Sequence, residues 1–221
     1  MKIAYQGISG SYSESCALKN YPNCETISCK TFDECFEMAN KDSTVRAIIP
    51  ESNKTTGNIG VEYLIFKYRL NIYAEHFLKI QHNLLGLPKT KLEDIKNVYS
   101  HAQALSQSSD FIKKNKFVEN VRADTAGSAK YISESGDKTK GAIASDLSAK
   151  IYNLEVLKSN IQDDKENVTR FLIMGKDIFQ PEFSNKNYIT SILFKLKDKA
   201  AALYSALSGF ALNGVNLTKL Q

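Results

Sequence analysis

The sequence predicts an α/β protein built from two lobes. Short runs rich in β-branched residues alternate with apolar stripes at helical spacing along most of the chain. The same alternation occurs on both sides of a long, mostly extended stretch, Leu70–Leu87, whose length suits a crossing between two lobes. The 221 residues, 43% hydrophobic and 24% charged, are enough for a real core without disulfides or metals.

The first lobe opens with a strand, a glycine turn and a helix. Lys2–Gln6 is the strand, Gly7–Ser11 is the turn, and Ser11 or Ser13 can cap a helix over about 14–18. A strand, a loop and a helix N-terminus in this order make a natural anion site, although similar residues also form plain connections. The turn lacks the third glycine of the dinucleotide fingerprint, so a Rossmann cofactor site is rejected.

A second helix and a buried strand follow. The helix starts near Thr31, and the strand Val45–Ile49 is expected to end at Pro50. The polar segment Glu51–Gly57 then lies outside a strand's carboxyl end, where α/β sheets bind ligands, and is either a binding loop or only a loop. The next apolar stripe at helical spacing indicates core rather than a cofactor contact: Val61, Leu64, Ile65 and Tyr68.

The crossing stretch alternates strictly and carries two histidines on one face. His76 and His82 are predicted to be packed and hydrogen-bonded rather than catalytic. Neither has a Cys or acid cluster nearby, so no zinc site is predicted.

The second lobe repeats the rhythm of the first. Three predicted strands, Val98–Tyr99, Val118–Val121 and Ala142–Ala144, are each followed by polar residues that open a helix. Ser100 is the expected N-cap after the first of them, and Thr125 lies at the start of the helix after the second.

A late strand, Asn167–Phe171, supplies a hydroxyl and a cation. Strand alternation places Thr169 and Phe171 on one side and Arg170 on the other. A guanidinium matches a carboxylate bidentately, and a hydroxyl can donate to a second oxygen. With the polar strand-to-helix junctions near Ser9, Asn53, Ser100 and Thr125, this strand predicts a cleft between the lobes for a small acidic ligand.

Charge and composition exclude several classes of protein. The net charge of +5 comes from lysines spread along the chain, so no basic stripe indicates nucleic acid. No apolar run reaches membrane-spanning length, and the first residues form no apolar targeting segment. Four cysteines without C-x-x-C spacing indicate free thiols in a reducing compartment. A cytoplasmic protein is therefore expected.

Five motifs, in order along the chain, resemble those of the prephenate dehydratase family. The family patterns G-x-x-G-[ST]-[FY]-S, S-H-P-Q-A-L, D-T-A-x-A-A and A-A-I-A-S are similar to Gly7–Ser13, Ser100–Leu105, Asp124–Ala129 and Gly141–Ser145. The signature N-x-T-R-F is matched in full by Asn167–Phe171.

The resemblance implies a two-lobed fold like a type II periplasmic binding protein, with a central cleft, followed by a ferredoxin-like ACT module. The implied catalytic domain is 1–177, with lobe 1 at about 1–75 plus 160–177 and lobe 2 at about 76–159. A linker at 178–186 and a partial ACT module at 187–221 follow. The module is expected to consist of a strand, Ile189–Lys195, a helix, Ala200–Phe210, and a turn into a second strand over Gly214–Leu220.

The implied reaction is decarboxylative dehydration of prephenate to phenylpyruvate, with no metal, nucleotide or covalent cofactor. The resemblance places two sets of residues in the site. The catalytic candidates are Thr169, Arg170, Ser100 and Gln103, and the substrate-binding candidates are Asn53, Thr125, Ser9, Gly10, Phe171 and His101. Thr169 is expected to donate a hydrogen bond to the leaving hydroxyl.

Departures from the family pattern leave alternatives open. The family loop P-[IV]-E-N-S-x-x-G has Ser52 at its glutamate position and Lys54 at its serine position. An arogenate dehydratase and a two-lobed binding module with impaired turnover are therefore further readings. The resemblance also implies a homo-oligomer, a dimer or a tetramer. Ala201 replaces the glycine of the family's G-A-L effector motif, so insensitivity to phenylalanine is expected.

Overall fold

The computed structural model describes residues 1–55, 57–178, 180, 189, 190, 192 and 194–218. The chain divides into two compact units, Met1–Phe183 and Ser184–Gln221. No helix among the described residues is long and apolar enough to cross a membrane.

The first unit contains two sheets. The first sheet and its helices comprise β1 (Lys2–Gln6), α1 (Tyr12–Asn20), β2 (Glu25–Cys29), α2 (Phe32–Lys41), β3 (Val45–Asn53), β4 (Gly57–Asn58), α3 (Glu62–Tyr68), β5 (Asn71–Lys79) and, much later, β11 (Val168–Gly175). The second comprises β6 (Asn83–Gly86), β7 (Asn97–His101), α4 (Ala102–Ser106), α5 (Ser109–Asn115), β8 (Val118–Arg122), α6 (Thr125–Ser135), β9 (Lys140–Ala144), α7 (Asp146–Ile151) and β10 (Glu155–Lys158).

The strand order explains the two-lobed shape. The first sheet runs β2-β1-β3-β11-β5, with β4 paired to β3, and the second runs β10-β6-β9-β7-β8. Strands β1, β2 and β3 are parallel, whereas β11 is antiparallel to both of its neighbours. The predicted α/β class with two lobes is confirmed.

The chain crosses between the lobes later than the sequence suggested. Strand β5 stays in the first sheet up to Lys79, so the crossing follows residue 79 and not residue 75. The chain returns to the first sheet at Val168, and Ile161 still packs in a core cluster of the second lobe. The reason is that β5 must run the full length of β11 to pair with it.

Strand β11 lies inside the first sheet, between β3 and the edge strand β5. Its side chains alternate between two apolar layers: Phe171 and Ile173 join the cluster that includes Cys16 of α1, and Leu172 and Met174 join the cluster that includes Phe36 of α2. The predicted opposition of Arg170 to Thr169 and Phe171 follows the same alternation.

The predicted helix starts hold at two positions and fail at one. Ser11 accepts a hydrogen bond from the backbone N–H of Glu14, and Thr31 accepts one from that of Glu34. The prediction that Ser100 is an N-cap is wrong, because β7 continues to His101, which caps α4 instead.

The predicted end of β3 at Pro50 is also wrong. The strand continues to Asn53, and its register against β11 shifts so that Arg170 faces Ser52 while Phe171 faces Pro50. Glu51 is the extra residue of this β-bulge, a place where a sheet tolerates proline.

The second unit contains one described helix, α8 (Ala202–Leu212), which confirms the predicted helix over Ala200–Phe210. Residues 191, 193, 219 and 220 of the two predicted strands lie outside the described residues, and the described residues of those segments are not in strands. Most of the predicted linker, 179 and 181–186, also lies outside them. An ACT module here stays a prediction.

Candidate functional site

Each of the two sheets has an edge where polar residues end its strands. In the first sheet, the carboxyl end of β3 lies beside the start of β11, where Asn53 faces Thr169. In the second sheet, β7 and β8 are parallel and end side by side, with His101 opposite Arg122. Hydrogen bonds also cross between the lobes, among them Tyr12 Oη to His82 Nδ1 at 2.7 Å.

The Thr169 hydroxyl is oriented by one amide. Asn53 Nδ2 donates to Thr169 Oγ1 at 2.8 Å, and Asn53 Oδ1 accepts from the backbone N–H of Thr55 at 3.0 Å, which fixes which way the amide points. Thr169 is only 7% exposed. Among the described residues its hydroxyl has this donor and no acceptor, so its proton is left to donate to a ligand.

The hydrogen-bond network continues into the second lobe. Asn53 Nδ2 also donates to Asn167 Oδ1 at 2.8 Å, and Asn167 Nδ2 donates to Gln107 Oε1 at 3.0 Å. His82 Nε2 lies 2.9 Å from the same Gln107 oxygen. Gln107 Nε2 is buried and has no hydrogen-bond partner among the described residues, so it is a second donor at the seam.

Sequence reasoning missed Gln107. No sequence signal marks it, because its partners Asn167 and His82 lie 60 and 25 residues away in the chain. Asn167 enters the sequence analysis only as part of the strand motif, and its side chain is one of the links between the lobes.

The two histidines are packed and hydrogen-bonded. His82 is 2% exposed, and burial lowers its pKa below the ordinary value of 6.5. Burial, aided by the charge of Asp146, raises the pKa of Tyr12. His76 is paired in the same way with Tyr21, at 2.9 Å, and burial lowers its pKa too.

Arg170 lies on the opposite face from Thr169, between two carboxylates. Its Nε donates to Glu75 Oε2 at 2.7 Å and its Nη1 to Glu51 Oε2 at 3.1 Å. Ser52 Oγ also donates to that Glu51 oxygen. The β-bulge brings Glu51 to the guanidinium, while Ser52, at the family's glutamate position, lies opposite Arg170 and bonds to Glu51. These contacts favour a role in holding the shape of the site.

The predicted anion loop holds a carboxylate of its own chain. Glu14 Oε2 accepts from the Gly10 backbone N–H at 2.6 Å and from Ser9 Oγ at 3.0 Å, while Glu14 Oε1 accepts from Thr26 at 2.9 Å. Ser9 and Gly10 are therefore not brought together with a free donor set for a ligand.

The same loop joins the lobes. Ser145 and Ser148, at the start of α7, both donate to the Gly10 carbonyl, at 2.6 and 2.8 Å. Gly10 has φ +95°, and a Cβ there would lie 2.6 Å from Ser148 Oγ, so only glycine fits.

The other predicted residues fall into two groups. Ser100 is fully buried and donates to the Ile143 carbonyl at 2.6 Å, and Phe171 is 1% exposed in the first-lobe core. Both therefore support the strands that carry the site. His101 and Gln103 are exposed and Thr125 is half-buried, all at the edge where β7 and β8 end. His101 Nδ1 accepts from the Gln103 backbone N–H at 3.3 Å, which leaves its Nε2 as the outward atom.

A cavity of about 280 Å³ lies at this second-lobe edge, lined by Val121, Arg122, Ala123, Asp124 and Gly127. The Arg122 guanidinium stacks 4.1 Å from the centre of the Tyr131 ring. Sequence reasoning missed this cation beside Thr125, because an exposed arginine at a strand end has no distinctive spacing. No group of three His, Cys, Asp or Glu among the described residues could hold a metal ion.

Comparison with known proteins identifies the family of this chain. Residues 3–178 match the family model described as prephenate dehydratase. The chain belongs to the prephenate dehydratase family. A relative of this family member, arogenate dehydratase 2 of Petunia hybrida, is 43% identical over 222 residues, which cover 100% of the chain and 56% of the relative. The chain therefore spans about half the length of that relative.

Two solved structures share the fold of this prephenate dehydratase family member. GqqA, described as a novel type of quorum quenching acylase, superposes with a TM-score of 0.85 at 29% identity and covers 100% of this chain and 81% of its own. Prephenate dehydratase from Arthrobacter aurescens, in complex with L-Phe, superposes with a TM-score of 0.85 at 22% identity and covers 100% and 75%. The latter shows the fold alone.

The relatives correct one prediction. Arogenate dehydratase/prephenate dehydratase 1 and 2 of Arabidopsis thaliana are both named chloroplastic. These names point to the plastid, and the expectation of a cytoplasmic protein is overturned.

Proposed function

We propose that this chain is a dehydratase that acts on prephenate, removing carbon dioxide and the ring hydroxyl to leave phenylpyruvate. The observation that carries the proposal is the orientation of the Thr169 hydroxyl. Its oxygen accepts a hydrogen bond from Asn53, so its O–H is left to donate at the seam between the two lobes. A second donor, Gln107 Nε2, belongs to the same network.

The reaction requires assistance to the departing hydroxyl group more than it requires a nucleophile. The bond between the ring and its carboxylate breaks, its electron pair moves through the ring, and the C–O bond of the hydroxyl breaks at the far end. The ring becomes aromatic, carbon dioxide leaves, and the hydroxide takes up one proton to become water. A donor aimed at the departing oxygen stabilises the charge that develops there.

Thr169 is assigned to that donation. An alcohol is too weak an acid to supply a proton at neutral pH by itself, so the net proton comes through water or a neighbour. Arg170 is assigned to holding β3, β5 and β11 together, because both of its bonded nitrogens face carboxylates of the chain.

The second-lobe edge would bind the rest of the substrate. Gln103, His101 and Thr125 lie there with outward or half-buried polar groups, and Arg122 supplies a guanidinium suited to a carboxylate. Ser100 would act only by supporting β7 from behind.

Arogenate, the amino analogue, is the second candidate substrate. The names of the relatives favour it, since one is an arogenate dehydratase and another carries both activities in its name. The impaired binding module is less favoured: Ser52 lies on the face of Arg170, and Lys54 bonds to β11 through its backbone, so neither departure breaks the Asn53–Thr169 bond.

The test is a parallel assay of the purified chain with both substrates. Prephenate turnover is followed by the absorbance of phenylpyruvate, and arogenate turnover by chromatography of phenylalanine. Thr169→Val keeps the shape and removes the donor, so it should lower kcat by about a hundredfold or more with a smaller change in KM.

Thr90→Val is the matched control, because the Thr90 hydroxyl is buried without a hydrogen-bond partner among the described residues. It should keep wild-type activity. A wild-type chain that turns over neither substrate, or a Thr169→Val variant with unchanged kcat, would refute the proposal.

A further inference from the structure

A buried tyrosine–histidine pair lies at the far end of the network that orients Thr169. Tyr12 belongs to α1 of the first lobe, and His82 begins the second lobe just before β6. Their rings pack edge to face with centroids 5.6 Å apart, and Tyr12 Oη lies 2.7 Å from His82 Nδ1. The proposed reaction assigns neither residue a role.

The direction of every hydrogen bond in this network can be worked out from one end. The Thr55 backbone N–H must donate, so Asn53 presents its oxygen to it and its nitrogen to Thr169 and Asn167. Asn167 therefore accepts with Oδ1 and donates with Nδ2 to Gln107 Oε1.

This direction decides the tautomer of His82. Gln107 Oε1 is an acceptor, so His82 Nε2, 2.9 Å away, must carry a hydrogen. In the neutral ring Nδ1 is then an acceptor. The single proton of the Tyr12 hydroxyl has two acceptors within reach, His82 Nδ1 at 2.7 Å and the Gln81 carbonyl oxygen at 3.0 Å. It must point to Nδ1, because otherwise a lone pair of the Tyr12 oxygen would face the lone pair of Nδ1 at the shorter distance. The opposite tautomer would put two lone pairs face to face at Gln107.

The result is that Gln107 is held by two donors, Asn167 and His82, on its oxygen. Both hydrogens of Gln107 Nε2 are then directed away from His82, and that nitrogen has no partner among the described residues. Without the second donor the amide could turn and present its oxygen where the substrate needs a hydrogen.

We propose that Tyr12 and His82 are positioning residues: Tyr12 selects the His82 tautomer, and His82 fixes the Gln107 amide so that its nitrogen donates into the site beside Thr169. The inference rests on the proposed dehydratase function. Because Tyr12 and Gln107 belong to different lobes, the pair also ties this orientation to the way the lobes meet.

The chain contains its own control pair. His76 Nε2 lies 2.9 Å from Tyr21 Oη, and these rings also pack edge to face, with centroids 5.3 Å apart. Among the hydrogen bonds of the described residues, neither side chain joins the Thr169 network. Tyr21→Phe and His76→Gln therefore remove a similar hydrogen bond with no path to Gln107.

The experiment compares kcat and KM of five variants with those of the wild type. Tyr12→Phe and His82→Leu should lower kcat by about tenfold or more, since misplacement of a reacting group has effects of that order. His82→Gln should recover much of the loss, because its amide N–H can donate to Gln107 from about the position of Nε2. Tyr21→Phe and His76→Gln should keep wild-type kcat even where they lower the melting temperature.

Nitrogen NMR of the ring of His82 provides a readout that does not depend on activity. The wild type should show a protonated Nε2 and an unprotonated, hydrogen-bonded Nδ1, and Tyr12→Phe should shift the Nδ1 signal while Tyr21→Phe leaves it unchanged. A wild-type Nδ1–H tautomer would overturn the inference, as would a fully active Tyr12→Phe. An inactive wild type would instead refute the proposed function, and the ring signals would still show whether Tyr12 sets the tautomer.

Discussion

Removing the guanidinium of Arg170 is expected to cost stability rather than substrate binding. Its side chain is 16% exposed, and its partners Glu51 and Glu75 are 7% and 26% exposed. Arg170→Met keeps the apolar stem and leaves two neighbouring carboxylates without their cation.

The size of the loss follows from this burial. Breaking a buried ion pair costs roughly 3–5 kcal/mol, and the partial exposure of Glu75 reduces that to about 2–4 kcal/mol here. For a protein of this size the melting temperature should fall by roughly 5–15 °C.

The assay is thermal unfolding of the variant, with substrate KM measured below its melting temperature. Lys67→Met is the matched control, because Lys67 forms a 2.6 Å pair with Asp33 in which the side chains are 54% and 45% exposed. Losing such a solvent-screened surface pair should change the melting temperature little. Adding Glu51→Gln to Arg170→Met should restore part of the stability. A variant with wild-type melting temperature and lost substrate affinity would refute the reasoning and make Arg170 a carboxylate-binding residue.

Three further changes have expected outcomes. Burial lowers the pKa of His82 below 6.5, so the unfolded chain binds a proton there more readily than the folded chain does, and stability should be retained above about pH 6.5 and fall as the pH drops below it. Melting temperatures measured across pH should show this fall, and it should be less steep in His82→Gln. Gly10→Ala should destabilise by about 1–3 kcal/mol through its clash with α7, whereas Gly60→Ala, with φ +80° and open space around it, should show only the backbone cost in chemical denaturation; equal losses would contradict the clash. Ala201 has φ +59°, so Ala201→Gly should slow amide hydrogen exchange at the start of α8, with a gain of about 1 kcal/mol, and unchanged exchange would count against strain there.

The sequence predicted most of the elements because their signals are local. The strand Lys2–Gln6 has the predicted bounds, the helix predicted to start near Thr31 begins at Phe32, and the alternation of β11 follows from the strand period. The end of β3 was mispredicted at Pro50 because the effect of a proline depends on the neighbouring strand. The bulge against β11 lets β3 continue past a proline that would otherwise end the strand.

The candidate site was predictable in place but not in detail. Thr169 and Asn53 were named and are bonded to each other. The carboxylate that fills the Ser9–Gly10 loop could not be foreseen, since Glu14 was expected only as a helix residue and its partners include Thr26 on another strand. Gln107 acquires its importance from residues far away in the chain, and no spacing rule connects them.

The position of β11 has a consequence for how the protein folds. The last strand of the first unit lies between β3 and β5, which are made much earlier in the chain. Until residue 175 has left the ribosome, β3 and β5 each have an edge without the strand that pairs with both of them. These long-range pairings must wait for the whole inserted lobe. Unpaired strand edges favour association between chains. The first lobe should therefore be the slower lobe to acquire its native sheet, and the one whose nascent form most needs protection.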